Sequence, residues 1–161
     1  MSGQRQVAVV GGAKCEPGSE AAVLAEEVGR RLADAGVTLV CGGLTGVMEA
    51  ACRGASEAGG VAIGIVPGNS VAEANPFCTH VVATGIGHAR NLAVVSSGDA
   101  VIAIGGEWGT LSEIGFARAI GRPVIALQSW ALSGRERMEG APGIVLAESA
   151  REAVERALEA L

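Results

Sequence analysis

Apolar residues in this chain come in short unbroken runs, each bounded by glycine or proline and separated by longer segments of mixed polarity. Val7–Val10 runs into Gly11-Gly12, Val37–Cys41 into Gly42-Gly43, and Val61–Val66 into Pro67-Gly68. His80–Thr84 meets Gly85, and Ala100–Ile104 meets Gly105-Gly106. Pro123–Gln128 follows Gly121, and Gly143–Leu146 is a last short run. Runs without polar alternation are what strands covered on both faces look like. The stretches between them, about 19–35, 45–58, 87–97, 110–120 and 148–160, have helical length. In the last, Ala150, Val154, Ala157, Leu158 and Leu161 share one face, and Arg151, Glu152, Glu155 and Arg156 lie elsewhere.

Strands alternating with helices predict a parallel sheet with right-handed crossovers. The expected fold is a single-domain, Rossmann-like, doubly wound α/β sheet flanked by helices, spanning residues 1–161 with no linker or composition shift. Ser129–Ala141 is a polar insertion, expected to be a surface loop or a lid. The glycine turns follow strands, so they gather at the carboxyl edge of the sheet, where open α/β sheets hold ligands.

Composition narrows the function. The 161 residues are 49% hydrophobic and 18% charged, as in a globular domain, and the net charge of −5 argues against a nucleic-acid partner or an electrostatic membrane anchor. Aromatics are only 2%, too few for a single-strand stacking platform. The polar start Met1–Gln6 and the lack of a long apolar run lead to the expectation of a cytoplasmic protein without a signal peptide. Cys15, Cys41, Cys52 and Cys78 have no C-x-x-C spacing, and His80 and His88 are the only histidines. No metal site of the usual spacing is expected, and the thiols read as small core or loop residues.

Three glycine turns are candidates for ligand binding. Gly11-Gly12-Ala13-Lys14 is neither G-x-G-x-x-G nor a Walker A loop. It reads either as a tight turn or, because Lys14 is the sole lysine, as an anion contact. Gly42-Gly43-Leu44-Thr45-Gly46 and Gly105-Gly106-Glu107-Trp108-Gly109-Thr110 each lead into a helix, whose free backbone N–H groups can cradle a phosphate. Thr110-x-x-Glu113 is also a capping box, so Glu113 reads either as a helix cap or as a carboxylate at the crevice. Arg90 in Gly85–Asn91 reads either as a solvated helix arginine or as a fork for an anion. Trp108 would stack on a flat ligand or pack on a neighbouring subunit.

Together, the G-G-x-x-G-V-M turn at Gly42, His88-Ala89-Arg90 and G-G-x-x-G-T-x-x-E at Gly105 resemble the LONELY GUY family, often labelled lysine decarboxylases. The resemblance covers roughly residues 5–128. It implies a homodimer or homotetramer that hydrolyses the N-glycosidic bond of nucleoside 5′-monophosphates. Arg90 and Glu113 would be catalytic, and Gly106, Gly109 and Thr110 would bind phosphate. Glu113 would stabilise positive charge on the ribose as the base leaves. A pyridoxal decarboxylase would need a Schiff-base lysine and a cofactor domain, and the sole lysine is Lys14 in a short turn. No resident cofactor and no metal is expected. The chain departs from the enzymes' pattern at Gly105, which replaces a proline, at Glu107, which replaces a glycine, and at Asn91, which replaces a lysine. Gly54–Gly60, Ile63–Gly68 and Gly85–Asn91 with Ser96-Ser97 are similar to the molybdenum cofactor carrier group. The expected partner is therefore a small phosphorylated ligand, of nucleoside monophosphate or pterin type. The first expectation is phosphoribohydrolase-like activity; the alternative is a carrier or sensor of molybdenum cofactor or another phosphorylated heterocycle.

Overall fold

The computed structural model describes residues 4–130 and 143–161. Most of the expected loop or lid at 129–141 therefore lies outside the described residues; Ser129 and Trp130 lie within them. All seven apolar runs are strands: β1 (Gln6–Gly11), β2 (Thr38–Cys41), β3 (Ala62–Val66), β4 (His80–Ala83), β5 (Ala100–Ile104), β6 (Val124–Leu127) and β7 (Ile144–Ala147). They form one sheet in the order β4-β3-β2-β1-β5-β6-β7, with every pair parallel. The helices are α1 (Glu20–Asp34), α2 (Val47–Glu57), α3 (Arg90–Ser97), α4 (Trp108–Ala119) and α5 (Ala150–Glu159).

The period-2 alternation of β1 divides the core. Val7 and Val9 pack with residues of α1, α2 and α5, whereas Ala8 and Val10 pack with residues of α3 and α4. This is the doubly wound arrangement that the alternating pattern predicts. The expectation of two covered faces holds for β1, β2, β5 and β6 but not for the sheet's edges. Val82 on β4 and Leu146 on β7 are exposed, because an edge strand has helix cover on part of its surface only. The helix starts also differ from expectation, α2 and α5 each beginning two residues late, at Val47 and Ala150. α4 begins two residues early, at Trp108, and α3 begins at Arg90 after a 3₁₀ turn at Gly87–Ala89. Among the described residues no helix is long and apolar enough to cross a membrane.

Helices α1 and α2 touch backbone to backbone. A Cβ on Gly54 would stand 1.9 Å from the Glu26 carbonyl oxygen, and one on Gly29 would stand 2.0 Å from that of Ala51. Any side chain there pushes the helices apart. Gly115, on the exposed side of α4, has open space instead. Gly54→Ala is expected to destabilise the fold by about 1–3 kcal/mol. Gly115→Ala is expected to stabilise it by up to about 1 kcal/mol, since only the helix propensity of glycine is removed. Urea denaturation of the two variants checks the contrast.

Candidate functional site

Strand order reverses at β1, with β2 on one side and β5 on the other. Such a reversal leaves a crevice at the carboxyl ends. Here the three glycine loops are pressed into one rim. A Cβ on Gly12 would stand 3.7 Å from the Gly106 Cα, and one on Gly46 would stand 2.2 Å from the Gly12 carbonyl oxygen. The Val47 N–H donates to the Gly12 carbonyl (3.0 Å), and the Thr45 hydroxyl donates to that of Ala13 (2.9 Å). Gly46, at φ +68°, is the N-cap of α2 and supplies no side-chain cap. Glu107, the N-cap of α4, supplies none either. By contrast, Ser19 caps α1 and Ser149 caps α5. The two helices that flank the reversal thus start with amides that no capping side chain covers.

Arg90 and Glu113 meet beneath this rim. Arg90 Nη1 is 3.9 Å from Glu113 Oε1, and the residues are 7% and 6% exposed. Arg90 also donates to Asn91 Oδ1. Its Nε is buried without a partner. Gly42 lies directly against the guanidinium, since a Cβ there would stand 2.8 Å from Nη2. A solvated arginine is therefore excluded. So is the capping box: because α4 starts at Trp108, Thr110 is already inside its first turn and Glu113 lies one turn deeper, facing Arg90. Burial pushes the Glu113 carboxyl up to about 7, with Arg90 opposing the shift. Burial likewise lowers the Arg90 pKa, opposed by Glu113. Two charges desolvated at a loose 3.9 Å do not fully offset their burial cost. An oxyanion placed on Arg90 would meet a guanidinium with donors to spare.

The outer part of the rim is aromatic and open. Trp108 is 76% exposed and leans on Trp130, with ring centroids 5.4 Å apart and planes tilted 35°. Trp130 Nε1 donates to the Glu107 carbonyl (3.3 Å). Trp108 therefore has a partner within its own chain. Glu107 turns its carboxylate outward to Lys14, 3.8 Å away, in an exposed pair of little energetic weight. A hollow of about 320 Å³ is lined by Gly105, Gly106, Gln128, Ser129 and Trp130. Gln128, at φ 50°, is the only non-glycine residue with positive φ among the described residues, and such strain gathers at functional sites. A larger hollow of about 590 Å³, between α1 and the start of α5, lies away from the rim. Arg30 and Arg31 in its lining are already paired with Glu27.

Some contributors were not legible beforehand. Asn75 is buried, and its amide donates to the carbonyls of Gly43 (3.2 Å) and Leu44 (2.9 Å), tying down the β2 loop. Its only sequence signal is the Asn75-Pro76 turn pair. Gln128, Ser129 and Trp130 follow a strand as the glycine loops do, but without glycines to mark them. His88 is exposed on its 3₁₀ turn. Cys41 and Cys52 are buried as expected, yet their thiols also converge with Cys78.

Residues 4–154 match the SLOG cluster4 family. The chain belongs to that family. An uncharacterised protein of Archaeoglobus fulgidus is 41% identical over 123 residues, 76% of this chain and 80% of that protein. Among solved structures, the molybdenum cofactor binding protein from Rippkaea orientalis is 32% identical, with a TM-score of 0.87 over 99% of this chain and 98% of that one. The molybdenum cofactor carrier protein of Chlamydomonas reinhardtii is 27% identical, with a TM-score of 0.82 over 97% of each chain. DNA processing protein A of Streptococcus pneumoniae, 23% identical at a TM-score of 0.71, covers 94% of this chain and 61% of that one, and shares the fold alone. The SLOG membership and the carrier-type neighbours agree with both resemblances read from the glycine motifs.

The raised Glu113 pKa has a consequence for stability. Between pH 4.5 and about 7 this carboxyl holds more protons folded than unfolded. Its stabilising contribution is full below pH 4.5 and is lost as pH rises through about 7. The protein without ligand is expected to lose up to about 3 kcal/mol of stability across that window. Glu113→Gln is expected to flatten the fall. Urea denaturation at several pH values checks it, and an equal fall in both proteins would place the titration elsewhere.

Proposed function

We propose that this SLOG protein is a carrier of a phosphorylated heterocycle of the molybdenum cofactor type. The observation that carries the reading is the buried Arg90, with an unpartnered Nε and only the bare backbone of Gly42 above it, beneath a rim of glycine loops. The likeness to two molybdenum cofactor proteins over nearly the whole chain supports it. In this reading the ligand phosphate takes amides at and just before the starts of α2 and α4, contributed by Thr45, Gly46, Gly106, Gly109 and Thr110; the Gly43 amide is already given to Cys41 Sγ. Arg90 reaches the same anionic end, and Glu113 and Asn91 hold its guanidinium in place. Trp108 and Trp130 take one face of the flat heterocycle. Gly12 leaves room for the ligand at the reversal, Gly11 makes way for Val47 and the Ile104 carbonyl, and Lys14 with Glu107 forms the outer lip. Gly105 lets the β5 loop turn at φ +51°. Nucleic acid is not the proposed partner, since the net charge is −5.

Phosphoribohydrolase activity is the second reading. A specific observation favours it: a carboxyl pushed up to about 7 beside an arginine is poised to exchange a proton near neutrality. Against it, the Glu113 carboxylate is directed at Arg90.

The test uses molybdenum cofactor released from a molybdoenzyme, alongside a panel of nucleoside 5′-monophosphates. Wild type is expected to bind the pterin ligand, with quenching of tryptophan fluorescence and no base release from any nucleotide. Arg90→Ala is expected to weaken binding by about 10- to 100-fold, the loss of a charge-assisted contact of about 1.5–3 kcal/mol. Base release that disappears in Glu113→Gln would instead establish the hydrolase.

We also propose a homodimer as the building unit. Leu92 on α3, Phe116 on α4 and Ile120 at the C-cap of α4 are exposed, and the two helices pack side by side. Val94 and Val95 of the same α3 segment are wholly core. Sedimentation at micromolar concentration is expected to give a dimer in wild type and a monomer in Phe116→Asp; wild type running only as a monomer would overturn this.

A further inference from the structure

Three thiols far apart in sequence meet at one point behind the β2 loop. Cys41 ends β2, Cys52 lies on the buried face of α2, and Cys78 lies just ahead of β4. The sulfur atoms of Cys41 and Cys52 are 3.3 Å apart, those of Cys52 and Cys78 are 3.7 Å apart, and all three lie within 4.8 Å of one another. Cys41 and Cys52 are buried, while Cys78 is only partly so. Among the described residues no histidine, aspartate or glutamate joins the group.

Packing alone does not call for this convergence. A buried cysteine behaves as a small hydrophobe and packs as well against methyl groups. Here, moreover, space is kept for a sulfur: a Cβ on Gly64 of β3 would stand 2.6 Å from Cys78 Sγ. The Gly43 N–H donates to Cys41 Sγ at 3.3 Å, the kind of outer contact that orients a thiolate ligand. A disulfide would use two of the thiols and strand the third. The spacing instead suits a cation. A metal at the centre of three sulfurs, with bonds of about 2.3 Å, holds them about 4.0 Å apart, so the Cys41–Cys52 and Cys52–Cys78 separations of 3.3 and 3.7 Å need to open by less than about 1 Å.

We propose that Cys41, Cys52 and Cys78 form a three-thiolate site for one soft, thiophilic cation of the Cu(I) kind. Softness follows from an all-sulfur donor set. Zinc fits less well, because a structural zinc site closes with a fourth protein ligand and this cluster offers three. On binding, three metal–sulfur bonds form and the three S–H protons pass to solvent. The resulting negative cluster lies close to Arg90, whose guanidinium rests against Gly42, the residue after Cys41. The cation would pin β2, α2 and the segment before β4 together. This site is separate from the ligand proposed for the rim, and its test does not depend on that ligand.

Fully reduced protein is titrated anaerobically with Cu(I) against a competing chelator, and the metal-bound form is examined by X-ray absorption. One Cu(I) per chain with three sulfur neighbours is expected, with a higher thermal midpoint for the loaded protein. Cys78→Ser is expected to lose more than about 100-fold in affinity, whereas Cys15→Ser is expected to leave uptake unchanged. Gly64→Ala, which keeps every thiol but crowds Cys78, is expected to weaken uptake as well. Failure to take up one equivalent, uptake undiminished in Cys78→Ser, or a bound metal with fewer than three sulfur neighbours would overturn the proposal. The wild-type sulfur count decides the matter even where a variant does not fold.

Discussion

At the carboxyl end of β1 three backbones pass so close that only bare main chain fits between them. The β2 loop presses Gly46 onto the Gly12 carbonyl, and β5 brings the Ile104 carbonyl up against Gly11 from the other side. Interstrand spacing sets this approach, because β2 and β5 are the two hydrogen-bonded neighbours of β1. The loops have nowhere to diverge until their helices begin. From this crossing follow the position of the α2 and α4 starts, their lack of side-chain caps, and the shielded space in which Arg90 lies.

That shielded space accounts for the electrostatics. Arg90 and Glu113 enter it from α3 and α4, which cover the same face of the sheet. Their separation of 3.9 Å is too long for a strong hydrogen bond, and the Arg90 Nε is left unpartnered. Burial then works against both charges at once, which is why the carboxyl rises and the guanidinium falls. A structure that tolerates such a pair without a ligand gains when an anion supplies the missing partner. The serine-capped α1 and α5 make a smaller demand, since a serine hydroxyl already accepts from one first-turn amide in each.

Much of the fold was legible because the central strands announce themselves. Val7–Val10 and Ala100–Ile104 are solid apolar runs, and both are fully covered by helices on two sides. The edge strands β4 and β7 read in the same way and proved half open, because apolar content does not say which strand has only one neighbour. The candidate site was legible wherever glycine marked a loop. It was not legible at Asn75 or at Gln128–Trp130, whose roles come from contacts across the sheet edge. Thr110 and Glu113 were misleading for a local reason. A Thr-x-x-Glu spacing suits a helix start, but β5 ends in a turn that lets α4 begin at Trp108, and the pair is carried inside the helix.

What the sequence determined by itself is local and periodic: the alternation of strand and helix, the parallel sheet it requires, and the glycine turns gathered at one edge. These depend on spacing along the chain, which the sequence states directly. Only the tertiary structure decided which side chains meet. It brought Arg90 to Glu113 across two helices, Trp108 to Trp130 across two loops, and Cys41, Cys52 and Cys78 to one point. The physical reason is that each meeting joins residues 11 to 37 positions apart, through the register of the sheet and the packing of helices on it. No spacing rule within one segment encodes a contact made between segments.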